Sequence, residues 1–103
     1  MISEALKARV RAEIGDPHDQ CYTASEALYV LAGGKAAGIT PMHGVVETEH
    51  TRISHWWLRD EDGSVVDLTA DQFDFPWPYA EGRGRGFQTH MKRAARELVE
   101  RLS

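Results

Sequence analysis

A single cysteine, Cys21, in a chain of 103 residues decides how this fold can be held together. No disulfide can close within the chain and the four thiolates of a structural zinc site are missing, so cohesion has to come from a hydrophobic core. One domain is expected, because a chain of about 100 residues buries about 60–70% of its unfolded surface and only longer chains divide. Hydrophobic residues at 42% and charged residues at 27% suit an ordinary globule and exclude collagen-like, fibrous and fully disordered classes. What is left for Cys21 is either a buried inert thiol or a reactive one.

Charge and hydropathy narrow the partners. Twelve basic against sixteen acidic residues give a net charge of -4, which argues against nucleic acid, since phosphate binding needs a cationic face. No apolar run approaches the roughly 18 residues of a membrane span. Met1-Ile2-Ser3-Glu4-Ala5-Leu6-Lys7 lacks the basic start and apolar core of a secretory signal, so a cytoplasmic location without membrane association is expected.

Periodicity places the elements. Leu6, Val10 and Ile14 recur at helical spacing from Ser3 to Ile14, with Ser3 as N-cap and Gly15 as stop. Pro17 breaks the chain into a polar loop, and a second helix is predicted from Cys21 to Ala32, ended by Gly33-Gly34. Cys21 then lies in a first helical turn and on the inward stripe. Lys35 to Pro41 reads as a linker, His43 to Glu47 as a short strand, Ile53 to Arg59 as a firmer one and Val65 to Leu68 as its hairpin partner. Thr69 to Phe73 suits a helical turn, Gly82 to Gly86 a glycine and arginine loop, and Thr89 to Leu102 a final amphipathic helix. The expected class is α+β, with N-terminal helices packed on a small antiparallel sheet and a C-terminal helix.

Cys21, His55 and Asp67 follow one another in the order of a thiol triad. A thiolate nucleophile needs a lowered pKa, which the partial positive charge of a helix start supplies. It needs a base, for which His55 is placed, and the base needs an orienting acceptor, for which Asp67 is placed. Because strand side chains alternate, a three-residue loop between the two strands would put His55 and Asp67 on one face. A two-residue Asp62-Gly63 turn would separate them, and Gly63 is compatible with both. The backbone N–H of Cys21 is one candidate oxyanion donor and the amide of Gln20 or the ring of His18 another, and His18 also competes as an alternative base.

His55-Trp56-Trp57-Leu58 followed by Asp62-Gly63-Ser64-Val65-Val66-Asp67-Leu68-Thr69 resembles the second half of the transglutaminase-like core. There a histidine-aromatic strand turns through a glycine into a strand ending in Asp-x-Thr, and a cysteine opens an upstream helix. The order Cys, His, Asp is also similar to the wider papain-like group. The resemblance implies a minimal fold of that kind, with Cys21 as nucleophile, His55 as base and Asp67 as orienting acid. The strings Cys21 to Tyr29 and Gly82 to Thr89 also resemble small uncharacterised bacteriophage proteins, which implies a host cytoplasm and a host protein as partner.

The function expected from these features is a cysteine-dependent hydrolase or acyltransferase acting on an amide or isopeptide-like bond of a peptide or protein substrate, with no cofactor. The alternative is a catalytically inactive accessory protein that binds a host protein or a small anionic ligand. Trp57 shares the face of His55 and could wall a substrate cleft, while Arg83 and Arg85 could hold a phosphate or carboxylate between glycines that let N–H groups converge. His43, His50 and His90 do not have the helical spacing of a zinc protease, so no metal is expected. Trp56, Trp57, Trp77, Phe73, Phe75 and Tyr79 are expected to complete a small core rather than form a ligand cage.

Overall fold

Ser3 caps the first helix: its hydroxyl accepts the N–H of Leu6 at 3.1 Å, and α1 runs over Glu4–Ile14 to Gly15, whose φ of 67° suits glycine. In the computed structural model, which describes all 103 residues, α2 follows at Cys21–Leu31 and α3 at Arg93–Leu102. Four antiparallel strands, β1 (Thr40–Glu47), β2 (Arg52–Arg59), β3 (Val65–Val66) and β4 (Arg83–Gly84), are ordered β3-β2-β1-β4. The α+β expectation holds. No helix is long and apolar enough to cross a membrane.

Side-chain alternation along β2 divides the molecule into two cores. Leu58 points to the helices and meets Val10, Ala24, Leu28, Ala95 and Leu98, all within 1% of complete burial. Each such leucine or valine contributes about 1.5–3 kcal/mol by leaving water, which is how a chain without a cross-link holds three helices on one sheet. Trp57 points the other way and packs with Met42 and Trp77, flanked by Phe73, Phe75 and Tyr79. Trp57 is 1% exposed and belongs to this second core; the cavity of about 260 Å³ that reaches it, between Met42, Tyr79 and Gly82, is lined by none of Cys21, His55 and Asp67.

Boundaries differ from expectation wherever a distant partner intervenes. The supposed linker holds a 3-10 turn at Gly34–Ala37, and β1 begins already at Thr40 because β2 is long enough to pair it through Arg59. β3 is only two residues, since the next residue, Asp67, turns its carboxylate to side chains instead of continuing the ladder. The Gly82 to Gly86 loop contains β4, whose Arg83 and Gly84 pair with His43 and Met42. Residues 89–92 are not helical: Lys92 N–H is held by Glu26 Oε1 at 2.9 Å, and just before them Gln88 N–H is held by the Tyr22 hydroxyl at 2.8 Å.

Gly82 shows how tightly the second core closes. A Cβ there would fall 2.2 and 2.3 Å from Trp57 ring atoms, while its φ of -73° is one any residue adopts. The obstacle is therefore packing alone. Gly82→Ala is expected to lose about 1–3 kcal/mol in urea denaturation, whereas Gly86→Ala, with open space around it, should stay within about 0.5 kcal/mol of wild type; equal stability of Gly82→Ala and wild type would contradict this packing.

Candidate active site

Two structural events bring Cys21, His55 and Asp67 together. Asp19 takes a left-handed φ of 60° and turns the loop so that Gln20 becomes the N-cap and Cys21 the first residue of α2. The Gln20 side chain makes no capping bond, so it leaves the opening N–H groups of the helix free. The second event is the end of β3. It pairs only with Leu58 and Arg59, so that edge of β2 is uncovered from Arg52 to Trp57, and there the start of α2 meets it, with Tyr22 edge-on to Trp56 at 5.0 Å.

The hairpin register resolves the parity question. Leu58 faces Val66 and Arg59 faces Val65, and Asp60 N–H bonds Ser64 O at 2.9 Å across the three-residue loop Glu61-Asp62-Gly63. Gly63, at φ 85°, supplies the left-handed position such a loop needs. His55 and Asp67 consequently share a face, and His55 Nε2 lies 2.6 Å from Asp67 Oδ2. Both side chains are out of water, at 0% and 4% exposure.

Asp67 is held from several sides. Its Oδ2 also accepts the Tyr79 hydroxyl at 2.7 Å, and its Oδ1 accepts the Thr69 N–H at 3.1 Å. Thr69 and Tyr79 were not singled out as site residues by sequence. The Thr69 contact was legible as a turn cap two residues on; the Tyr79 contact had no local signal, because it joins residues across an irregular segment. Around the imidazole, Phe73 stands edge-on at 4.8 Å and Trp77 at 4.9 Å, so the aromatic core seals the ring.

The protonation equilibria of the trio run in opposing directions. For His55, burial disfavours the imidazolium, but the Asp67 hydrogen bond and then Cys21 outweigh it and push the pKa up to about 9. For Asp67, burial is likewise outweighed, by His55 and then Tyr79, and the carboxyl falls below its usual range. Burial alone would raise the Cys21 thiol; the His55 imidazole and the backbone of Trp56 and Tyr22 together bring it below the ordinary thiol value. His55 Nδ1 is buried and has no partner of good hydrogen-bond geometry. With Nε2 committed to Asp67, Nδ1 is the nitrogen free to exchange a proton with sulfur.

The other sequence candidates scatter. His18 is exposed, with Nδ1 on Asp16 at 2.6 Å. His43 lies on β1, against Trp56 at 4.9 Å, while His50 and His90 sit in exposed connections. Arg83 and Arg85 are exposed on β4 and just beyond it. The largest cavity, about 510 Å³ between Tyr29, Ile39, Phe87 and Met91, does not reach the trio. A smaller cavity of about 380 Å³ adjoins it through Phe87 and is bounded by Tyr22 and Trp56, the chain neighbours of Cys21 and His55, but by none of the trio. Compared with known proteins, the chain matches no family model, no curated protein and no solved structure.

A histidine raised in the folded state stabilises the fold below its ordinary 6.5 and loses that contribution as pH climbs through about 9. Wild type is therefore expected to exceed Asp67→Asn in stability most between the carboxylate range and pH 6.5, with the gap narrowing as pH rises towards 9. Urea titrations across that range check it, and a gap that widens with pH would contradict the raised imidazole.

Proposed function

We propose that this protein is a cysteine-dependent hydrolase or acyltransferase that cleaves or transfers an amide or isopeptide-like acyl group of a peptide or protein substrate. One observation carries the reading: the His55 and Asp67 side chains meet at 2.6 Å out of water while the thiol at the start of α2 is lowered by the same imidazole. A merely structural histidine would not need its second ring nitrogen left buried and free. The hairpin wording from His55 to Thr69 adds a transglutaminase-like or papain-like relationship to the proposal, in a minimal form. A cytoplasmic site of action, in the host where the gene is carried by a phage, belongs to the same reading.

The chemistry follows from the trio. An imidazole near 9 holds a proton at neutral pH, so the proton rests on His55 and the sulfur attacks as thiolate. The sulfur lone pair forms the S–C bond, the carbonyl electrons move to oxygen, and the oxyanion is held by the free N–H of Cys21 and the uncommitted amide of Gln20. His55 gives its Nδ1 proton to the leaving amine as the C–N bond breaks. Water or a second amine, deprotonated by the same nitrogen, then opens the thioester and regenerates the thiolate. Asp67 does not take the proton; it holds the ring and stabilises its charged form.

Alkylation of Cys21 by iodoacetamide, followed by mass spectrometry from pH 5 to 10, tests the reading. Wild type should show a thiol titrating below a free cysteine. His55→Ala should return it towards the ordinary value and slow the reaction about tenfold near pH 6. A thiol of ordinary reactivity, equal in both proteins, would defeat the proposal and favour the accessory-protein alternative, in which Cys21→Ser retains the biological effect.

A further inference from the structure

Arg85 is fixed at a position where its charge has no protein partner. Its backbone N–H bonds Pro41 O at 3.0 Å, which ties residue 85 to the edge of β1. Its guanidinium lies 5.5 Å from the centre of the Trp56 ring, a ring held in turn by Tyr22 at 5.0 Å and Phe87 at 5.4 Å. Stacking of this kind keeps the planar guanidinium in place and leaves its edge N–H groups free. Arg11, Arg52, Arg93 and Arg101 each have a carboxylate partner; among the arginines without one, Arg85 is the one seated over an aromatic ring.

The surroundings sharpen this. Arg85 lines the cavity of about 380 Å³ that has Tyr22, the residue after Cys21, in its wall, and a second of about 270 Å³ that shares His43 and Ser54 with it. Neither is lined by an aspartate or glutamate; the third cavity that Arg85 touches, of about 410 Å³ and bounded also by Arg83 and Gly84, carries Glu81 in its wall. His43, shared by both walls, reports the same field: burial first, then Arg85 and Arg52, hold its imidazole below the ordinary value. A concavity with a stacked unpaired guanidinium, the Ser54 hydroxyl and no negative wall is built for an anion.

We propose that Arg85 receives a carboxylate on the acyl portion of the substrate, so that Cys21 acts on amides whose acyl group carries a free carboxylate. The carboxylate meets the guanidinium over Trp56, Ser54 supplies a further donor, and the acyl chain runs past Tyr22, which packs on Trp56 and follows Cys21 in α2. The inference rests on Cys21 being the nucleophile of the proposed function.

Two alkylating agents of nearly equal shape separate the two ideas. Iodoacetate carries the carboxylate and iodoacetamide the neutral amide; with either, the sulfur lone pair forms the S–C bond as the C–I bond breaks and iodide leaves. The quantity read is the ratio of the two rate constants on Cys21, in which any change of the thiol itself cancels. At low salt the ratio should fall about fivefold in Arg85→Gln, be largely kept in Arg85→Lys, and decline in wild type as salt is added. An unchanged ratio in Arg85→Gln would overturn the assignment, as would an equal fall in Arg83→Gln, which would reduce the effect to a general positive field. Failure of the catalytic reading looks different: iodoacetamide alone would then react at the rate of an ordinary thiol with or without His55.

Discussion

A histidine and an aspartate placed out of water across one hairpin constrain nearly everything around them. A buried imidazole is costly unless it is paired, and a buried carboxylate more so. The fold meets both costs by setting them against each other at 2.6 Å and by surrounding Asp67 with the donors of Thr69 and Tyr79. That requirement stops β3 after Val66, and the stopped strand in turn opens the edge of β2 to the start of α2. The position of Cys21 beside His55 is thus a consequence of where a neighbouring strand ends.

The glycines show the same economy. Gly44 lies opposite His55 in the β1–β2 register, and a Cβ there would press on Trp57 at 3.0 Å and on the Trp77 indole nitrogen at 3.3 Å. Gly82 makes room for the other side of Trp57. Two positions without side chains therefore let two indoles close over the imidazole. The low-polarity wall they make is part of what gives the Asp67 contact its strength.

Elements governed by local signals could be read from sequence, and those governed by distant partners could not. Ser3, Gly15 and the leucine and valine spacing suffice for α1, and Pro17 with Gly33-Gly34 frames α2 and puts Cys21 at its start. The hairpin was legible only as two alternatives, because Gly63 serves either turn; the choice is reinforced by Asp60, whose carboxylate accepts the N–H groups of Ile2 and Glu61. Residues 89–92 carry helix-forming side chains, yet Glu26 fixes Lys92 in a non-helical conformation and Tyr22 anchors the chain just upstream at Gln88. β4 has no strand signal of its own and exists through pairing to β1. A core position for Trp57 was expected from its aromatic neighbours, but the depth of its burial depends on Gly82, far along the chain.

Sealing the imidazole with residues from further along the chain has a consequence during synthesis. Cys21, His55 and Asp67 all precede Phe73, Trp77 and Tyr79, the side chains that close over the ring and steady its carboxylate. A nascent chain emerged only as far as Asp67 carries the whole trio but leaves the imidazole wet, and a solvated imidazole perturbs its neighbours weakly. Its thiol is then an ordinary one. The lowered thiol is therefore a property of the folded chain, and the nucleophile we propose is assembled only when the second aromatic core closes.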